Sequence, residues 1–135
     1  MSNYLIDTNI ITALLKNNTM VIAAMENAVI KGDQIFINGI SYYEIKRGLL
    51  AIGANSKIAQ FERFCDEFST IWLGERRIFD QAADIYLSLR KAGKLVEDAD
   101  ILIAATAIVF DLILVSNDSD FRKITHLKLE NWLAN

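Results

Sequence analysis

Four carboxylates in this chain stand where they could share one task. Asp7 follows Tyr4-Leu5-Ile6, Glu44 lies beyond Ile35-Phe36-Ile37, Asp100 precedes Ile101-Leu102-Ile103-Ala104-Ala105, and Asp118 follows Leu112-Ile113-Leu114-Val115. Neither histidine nor cysteine accompanies them. A ligand set made only of oxygens selects a hard cation, Mg²⁺ or Mn²⁺, and excludes the usual structural zinc site. The arrangement points to metal-dependent phosphate chemistry; in phosphodiester hydrolysis such a cation would activate a water and neutralise charge growing on the phosphate oxygens.

Each acid also has an ordinary reading. Ser41-Tyr42-Tyr43-Glu44 has the spacing of a capping box, in which Glu44 would bond the backbone N–H of Ser41. Asp98 and Asp100 fall in the first turn of a helix, where the helix dipole favours anions. Asp7 and Asp118 sit in Asp-Thr-Asn and Asn-Asp-Ser-Asp, segments that readily bond their own backbone. Four such coincidences on one edge are harder to accept than one site, because crowded carboxylates repel unless a cation neutralises them.

The elements that must position these acids alternate between strand and helix. Tyr4-Leu5-Ile6 reads as a short buried strand, followed by a helix carrying Ile10, Ile11, Leu14 and Leu15 at helical spacing. A second helix, Met20 to Lys31, ends at Gly32-Asp33 before the strand Ile35 to Ile37. A helix from near Ser41 stops at Gly53, and Asn55-Ser56 is placed to cap another running to about Phe68. Ile71-Trp72-Leu73 reads as a weak strand and Glu75 to Lys94 as a long amphipathic helix. Glu97 to Phe110 is helical and apolar nearly all round, with Ala104, Ala105 and Ala107 small enough to let it lie close to a sheet. Leu112 to Val115 is a core strand and Leu127-Lys128-Leu129 a short edge strand.

That alternation implies an α/β fold with a central parallel sheet and right-handed crossovers, each helix antiparallel to its strands. Strand C-termini and helix N-termini then meet on one edge, where open α/β sheets bind ligands. All four acids are expected there.

Composition sets the bounds. A chain of 135 residues suits one domain, 1–135, and its 53% hydrophobic content excludes a disordered polymer. The longest uncharged apolar stretch, Ile101 to Phe110, is too short to span a bilayer. The N-terminus has no basic region and Asp7 interrupts its first apolar run, so a cytoplasmic location is expected. Cys65 is the only cysteine, so no internal disulfide can form, and its place among Phe61, Phe64 and Phe68 suggests a buried thiol. A net charge of −3 argues against broad nonspecific nucleic-acid binding, so any polyanion must be drawn by local charge or by metal.

Other chemistries lack their parts. The lone His126 has no partner set for a Ser-His-Asp triad, and Gly48 and Gly53 are followed by Ala54 where a phosphate loop needs lysine.

Taken together, Tyr4-Leu5-Ile6-Asp7-Thr8-Asn9, Ser41 with Glu44-Ile45-Lys46-Arg47-Gly48, Asp100-Ile101-Leu102-Ile103-Ala104-Ala105 and Leu114-Val115-Ser116-Asn117-Asp118-Ser119-Asp120-Phe121 resemble the PIN domain, and more narrowly the VapC-type ribonuclease toxins. The resemblance implies a three-layer α/β/α sandwich, Mg²⁺- or Mn²⁺-dependent endonucleolytic cleavage of RNA, a homodimer, and inhibition by a small VapB-type antitoxin. It implies that Asp7, Glu44 and Asp100 are the core metal acids, with Asp118 the fourth and Asn9 and Ser116 holding ligands or water. Asp120, in the same turn, is a supporting residue that could exchange roles with Asp118. Two departures are mild: Ser116 stands where many relatives have threonine, and Asp111 occupies a turn position where glycine is common.

Lys46, Arg47, Arg90, Lys91, Lys94, Arg122 and Lys123 are candidates for contacting RNA phosphate, with Arg47 preferred because it lies three residues after Glu44. Three alternatives compete. A phosphoryl-acceptor domain would want paired acids after the first strand and a Lys-Pro later, but the chain has no proline. A dehalogenase-type phosphatase would want Asp-x-Asp where Asp7-Thr8-Asn9 stands. A catalytically idle PIN fold would have little reason to keep every acid.

Overall fold

The computed structural model of the chain describes residues 2–134. Its elements run β1 (Asn3–Ile6), α1 (Thr8–Leu15), α2 (Thr19–Ile30), β2 (Gln34–Asn38), α3 (Gly39–Ala51), α4 (Asn55–Glu67), β3 (Ser69–Ile71), α5 (Arg76–Lys91), α6 (Asp98–Val109), β4 (Ile113–Val115), a 3₁₀ helix (Ser119–Lys123) and β5 (Leu129–Glu130). The strands form one sheet in the order β3-β2-β1-β4-β5, with every neighbouring pair parallel. β1 is therefore central, flanked by β2 and β4.

Alternation along the strands sends successive side chains to opposite faces, and the two cores follow from it. Leu5 and Leu114 face a cluster with Ile78, Ile85, Ile101 and Phe121, whereas Ile6, Ile37 and Val115 face a cluster with Ile10, Val21, Ile45 and Phe61. Helices α5 and α6 cover the first face and α1 to α4 supply the second, so the sandwich has three layers. Ala104, Ala105 and Ala107 are fully buried where α6 meets the sheet. Among the described residues no helix is long and apolar enough to cross a membrane.

Several boundaries differ from the sequence reading. β3 occupies Ser69–Ile71 rather than 71–73, because its partners are the last residues of β2, with Ile71 opposite Asn38. Trp72 leaves the strand and lies over Gly39, where an added Cβ would come within 3.0 Å of the indole. β5 pairs at Leu129–Glu130, later than 127–129. The N-cap of α4 is Ala54 with no side-chain bond, so neither Asn55 nor Ser56 caps it. Cys65 is half-buried rather than buried.

One helix also runs against expectation. The Arg77 guanidinium lies 5.6 Å from the Phe110 ring centre, and at the other end Leu89, Val96 and Ile101 line one cleft, so α5 and α6 are an antiparallel pair. Because α6 leads into β4 through a tight turn and opposes it, α5 runs with the strands. A crossover built from two helices requires one of them to return. The result brings the C-terminal end of α5 to the edge that carries the acids.

Candidate active site

Asp7 is buried at the end of β1, its backbone N–H still bonded to Val115 O at 2.9 Å. Its carboxylate accepts a 2.7 Å hydrogen bond from Ser116 Oγ, and that oxygen in turn accepts the backbone N–H of Asp118 at 3.0 Å. Ser116 thus joins the first strand to the turn after β4. Asn9 reinforces the junction through Oδ1, which accepts the backbone N–H of Asn117 at 3.2 Å.

On the other side of β1 a relay of hydroxyls orients Glu44. Asn38 Nδ2 can only donate and the Glu44 carboxylate can only accept, so the bonds between them must run in one direction. Asn38 Nδ2 donates to Ser41 Oγ at 3.0 Å, Ser41 to Thr8 Oγ1 at 2.8 Å, and Thr8 to Glu44 Oε1 at 2.9 Å. Asn38, buried, also caps α3 by accepting the Ser41 N–H at 2.7 Å. Glu44 is therefore no capping-box partner of Ser41: the helix begins two residues earlier, and the carboxylate turns toward α1 instead.

Asp100 reaches the same edge from the first turn of α6, beside Asp98, under an N-cap residue Glu97 that makes no side-chain bond. Asp118 caps the 3₁₀ helix, its Oδ1 accepting the Asp120 N–H at 2.9 Å. Among the described residues, Asp100, Asp118 and Asp120 each offer one carboxylate oxygen to a group whose members lie within 4.8 Å of one another. Asp120 therefore belongs to the tight group together with Asp118, and Asp7 and Glu44 stand next to it rather than in it.

The electrostatics report crowding. Burial pushes Asp7 above the ordinary carboxylate range against the bonds from Ser116 and the Thr8 N–H, and Glu44 and Asp118 push it further. Asp100 is pushed up to about 6, first by burial and then by Asp7, Asp118, Glu44 and Glu97. Acids from four parts of the chain thus meet where Asp7 and Asp100 are costly to ionise, which is what a cation would relieve. The donor set is oxygen-only and half-buried, so it fits a hard divalent ion.

The basic residues separate. Lys46 is paired with Glu62 on α4, and Arg47 lies 4.9 Å from the centre of the Tyr43 ring. Lys123 pairs with Asp120 at 2.8 Å. His126 is exposed in a left-handed turn of φ 66°, and Asp111 has φ 53°, the geometry for which glycine would be the easier residue. Sequence reasoning missed Asn38 and Thr8. The Asn at the end of a strand before a helix was a cap signal that could have found the first.

The family model described as PIN domain matches residues 4–127. Ribonuclease VapC2 of Haemophilus influenzae is 30% identical over 98% of this chain and 100% of its own length, and Ribonuclease VapC1 of the same organism is 27% identical over 96% and 97%. Among solved structures, VapBC2 from Rickettsia felis bound to a promoter DNA fragment matches with a TM-score of 0.89 at 24% identity, covering 96% of this chain and 98% of that one. VapBC-1 from nontypeable Haemophilus influenzae matches with a TM-score of 0.83 at 25% identity, covering 98% and 99%.

Proposed function

The chain belongs to the PIN-domain family, and from that premise we propose that it is a metal-dependent endoribonuclease, the toxin of a toxin–antitoxin pair. The observation that carries the reading is the convergence of Asp100, Asp118 and Asp120 within 4.8 Å beside the buried Asp7, with Asp100 pushed up to about 6. Relatives named ribonucleases, matched nearly end to end, support the same reading. Family membership sets aside the phosphoryl-acceptor and phosphatase alternatives.

In this reading residues 1–135 are one nuclease domain, and Asp7, Glu44, Asp100 and Asp118 are its catalytic acids, with Asp120 sharing in the ligand set. The ion is Mg²⁺ or Mn²⁺. When bound, it supplies a water of lowered pKa and positive charge against the phosphate. Ser116 fixes the Asp7 carboxylate, Thr8 fixes that of Glu44, and Asn9 holds the turn that carries Asp118. Burial of Asp7 lowers the dielectric around its carboxylate, so its attraction for a bound cation is stronger than it would be in water.

The inhibitor is a VapB-type antitoxin, by analogy with the complexes among the structural neighbours, the toxin acts in the cytoplasm, and two copies form the working unit. A largely apolar cleft of about 410 Å³, lined by Leu14, Met25, Val29, Phe64 and Phe68 and containing none of these acids, has the chemistry to take an apolar helix.

Incubation of the purified protein with RNA and Mg²⁺ or Mn²⁺, alongside Asp7→Asn and Asp100→Asn, tests the reading. Cleavage by wild type alone is expected. Equal cleavage by all three would defeat the catalytic assignment.

A further inference from the structure

We propose that the cleft between the C-terminal end of α5 and the residues after the 3₁₀ helix binds a phosphate of the single-stranded RNA as it leaves the acid cluster, gripped by Lys94 and Lys123. The inference rests on the ribonuclease reading and adds the path of the substrate. An acidic protein of net charge −3 must place its positive charge where the polyanion runs.

The cleft measures about 240 Å³, and its walls include Ser88, Lys94, Lys123, Thr125 and His126, with Asp84 the carboxylate among them. Two lysines therefore share the cleft with one acid, and hydroxyl and imidazole side chains among its walls can complete the bonding of a phosphodiester. Lys123 is held in place rather than free: its ammonium donates to Leu95 O at 3.2 Å and pairs with Asp120 Oδ1 at 2.8 Å. Since Asp120 lies within the tight acid group, Lys123 stands between that group and the cleft. A strand cut at the acids would meet this cation next.

The other edge offers less. Lys46 is paired with Glu62 on α4, and Arg47, though near enough to Glu44 to feel its charge, is laid over Tyr43. The unexpected direction of α5 places Lys94 at the site at all, since a helix opposing the strands would carry it to the far edge.

The test uses Asp7→Asn protein, which leaves RNA uncut, and reads the fluorescence anisotropy of a short labelled single-stranded RNA across a salt series in Mg²⁺. Adding Lys94→Gln or Lys123→Gln is expected to weaken binding about fourfold each near 0.15 M salt and to lower the salt slope by about 0.7 each. Lys31→Gln, just past the end of α2, leaves both unchanged. If the parent binds RNA and the two cleft variants match it in affinity and slope, the cleft assignment is overturned while the ribonuclease reading stands; if wild type neither binds nor cuts RNA, both fall. Among the described residues Lys94 makes no side-chain hydrogen bond or ion pair, so Lys94→Gln decides the matter should Lys123→Gln disturb the turn.

Discussion

Ser116 Oγ and Asp7 Oδ2 meet at 2.7 Å across 109 residues of sequence, and both groups are buried. One hydroxyl therefore steadies the most enclosed acid of the site and, through the Asp118 N–H, the turn that bears two more. Ser116→Ala is expected to destabilise the fold by about 1–2 kcal/mol. Cleavage at neutral pH should fall about 10- to 100-fold, recovering in part as pH is raised, because Asp7 loses a bond that favours its charged form. Ser116→Thr keeps the hydroxyl and should keep the activity. A pH–rate profile for Ser116→Ala superposing on that of wild type would remove the hydroxyl from the mechanism.

Asp100 makes stability depend on pH in a defined sense. Its folded value is raised from 3.8 to about 6, so the folded form holds a proton more tightly than the unfolded one, and metal-free stability falls as pH rises through that window. Above it the penalty is constant; below it the penalty vanishes. In EDTA, Asp100→Asn should melt higher than wild type at pH 7 by about 1 kcal/mol after solvent screening, some 4 °C, and the gap should close toward pH 4. A gap of the same size at pH 4 and pH 7 would show that crowding of charge is not its cause.

The Asn38-Ser41-Thr8-Glu44 relay predicts that Thr8→Val, which keeps shape and removes the hydroxyl, costs about 1 kcal/mol of stability and about tenfold in cleavage. Thr8→Ser should restore both. Wild-type cleavage by Thr8→Val would mean that Glu44 needs no orientation by Thr8.

Millimolar Mn²⁺ should raise the melting temperature of wild type by mass action, an effect of about 2.7 kcal/mol at a hundredfold excess over the dissociation constant. Asp7→Asn and Asp118→Asn should respond less. Identical shifts in all three proteins would place the ion elsewhere.

The acids were visible in the sequence because each adjoins an apolar run whose period identifies its element, and parallel topology then carries Asp7, Asp100 and Asp118 to one edge. Local patterns said less about partners. Ser41-x-x-Glu44 has the spacing of a cap, and only the fold reveals that Asn38 takes the cap, because its amide also reaches Ile6 O at 3.3 Å on the neighbouring strand. Asp118 and Asp120 could not be ranked because both lie in one turn, and both proved to be near Asp100. The direction of α5 was hidden for another reason: amphipathic spacing identifies a buried face and is blind to which end points where. Trp72 misled the reading of β3, since an aromatic flanked by Ile71 and Leu73 suits a strand as well as it suits a lid over Gly39.

The sheet order has a temporal meaning during synthesis. β1 precedes both of its neighbours in synthesis yet sits in the middle, and its second neighbour, β4, follows only after six helices and two further strands. Asp7 waits for Ser116, and Asp100 waits for Asp118 and Asp120. A growing chain still lacking those residues has no assembled acid cluster, so the site opened by Asp7 is completed only when the turn after β4 has joined the sheet.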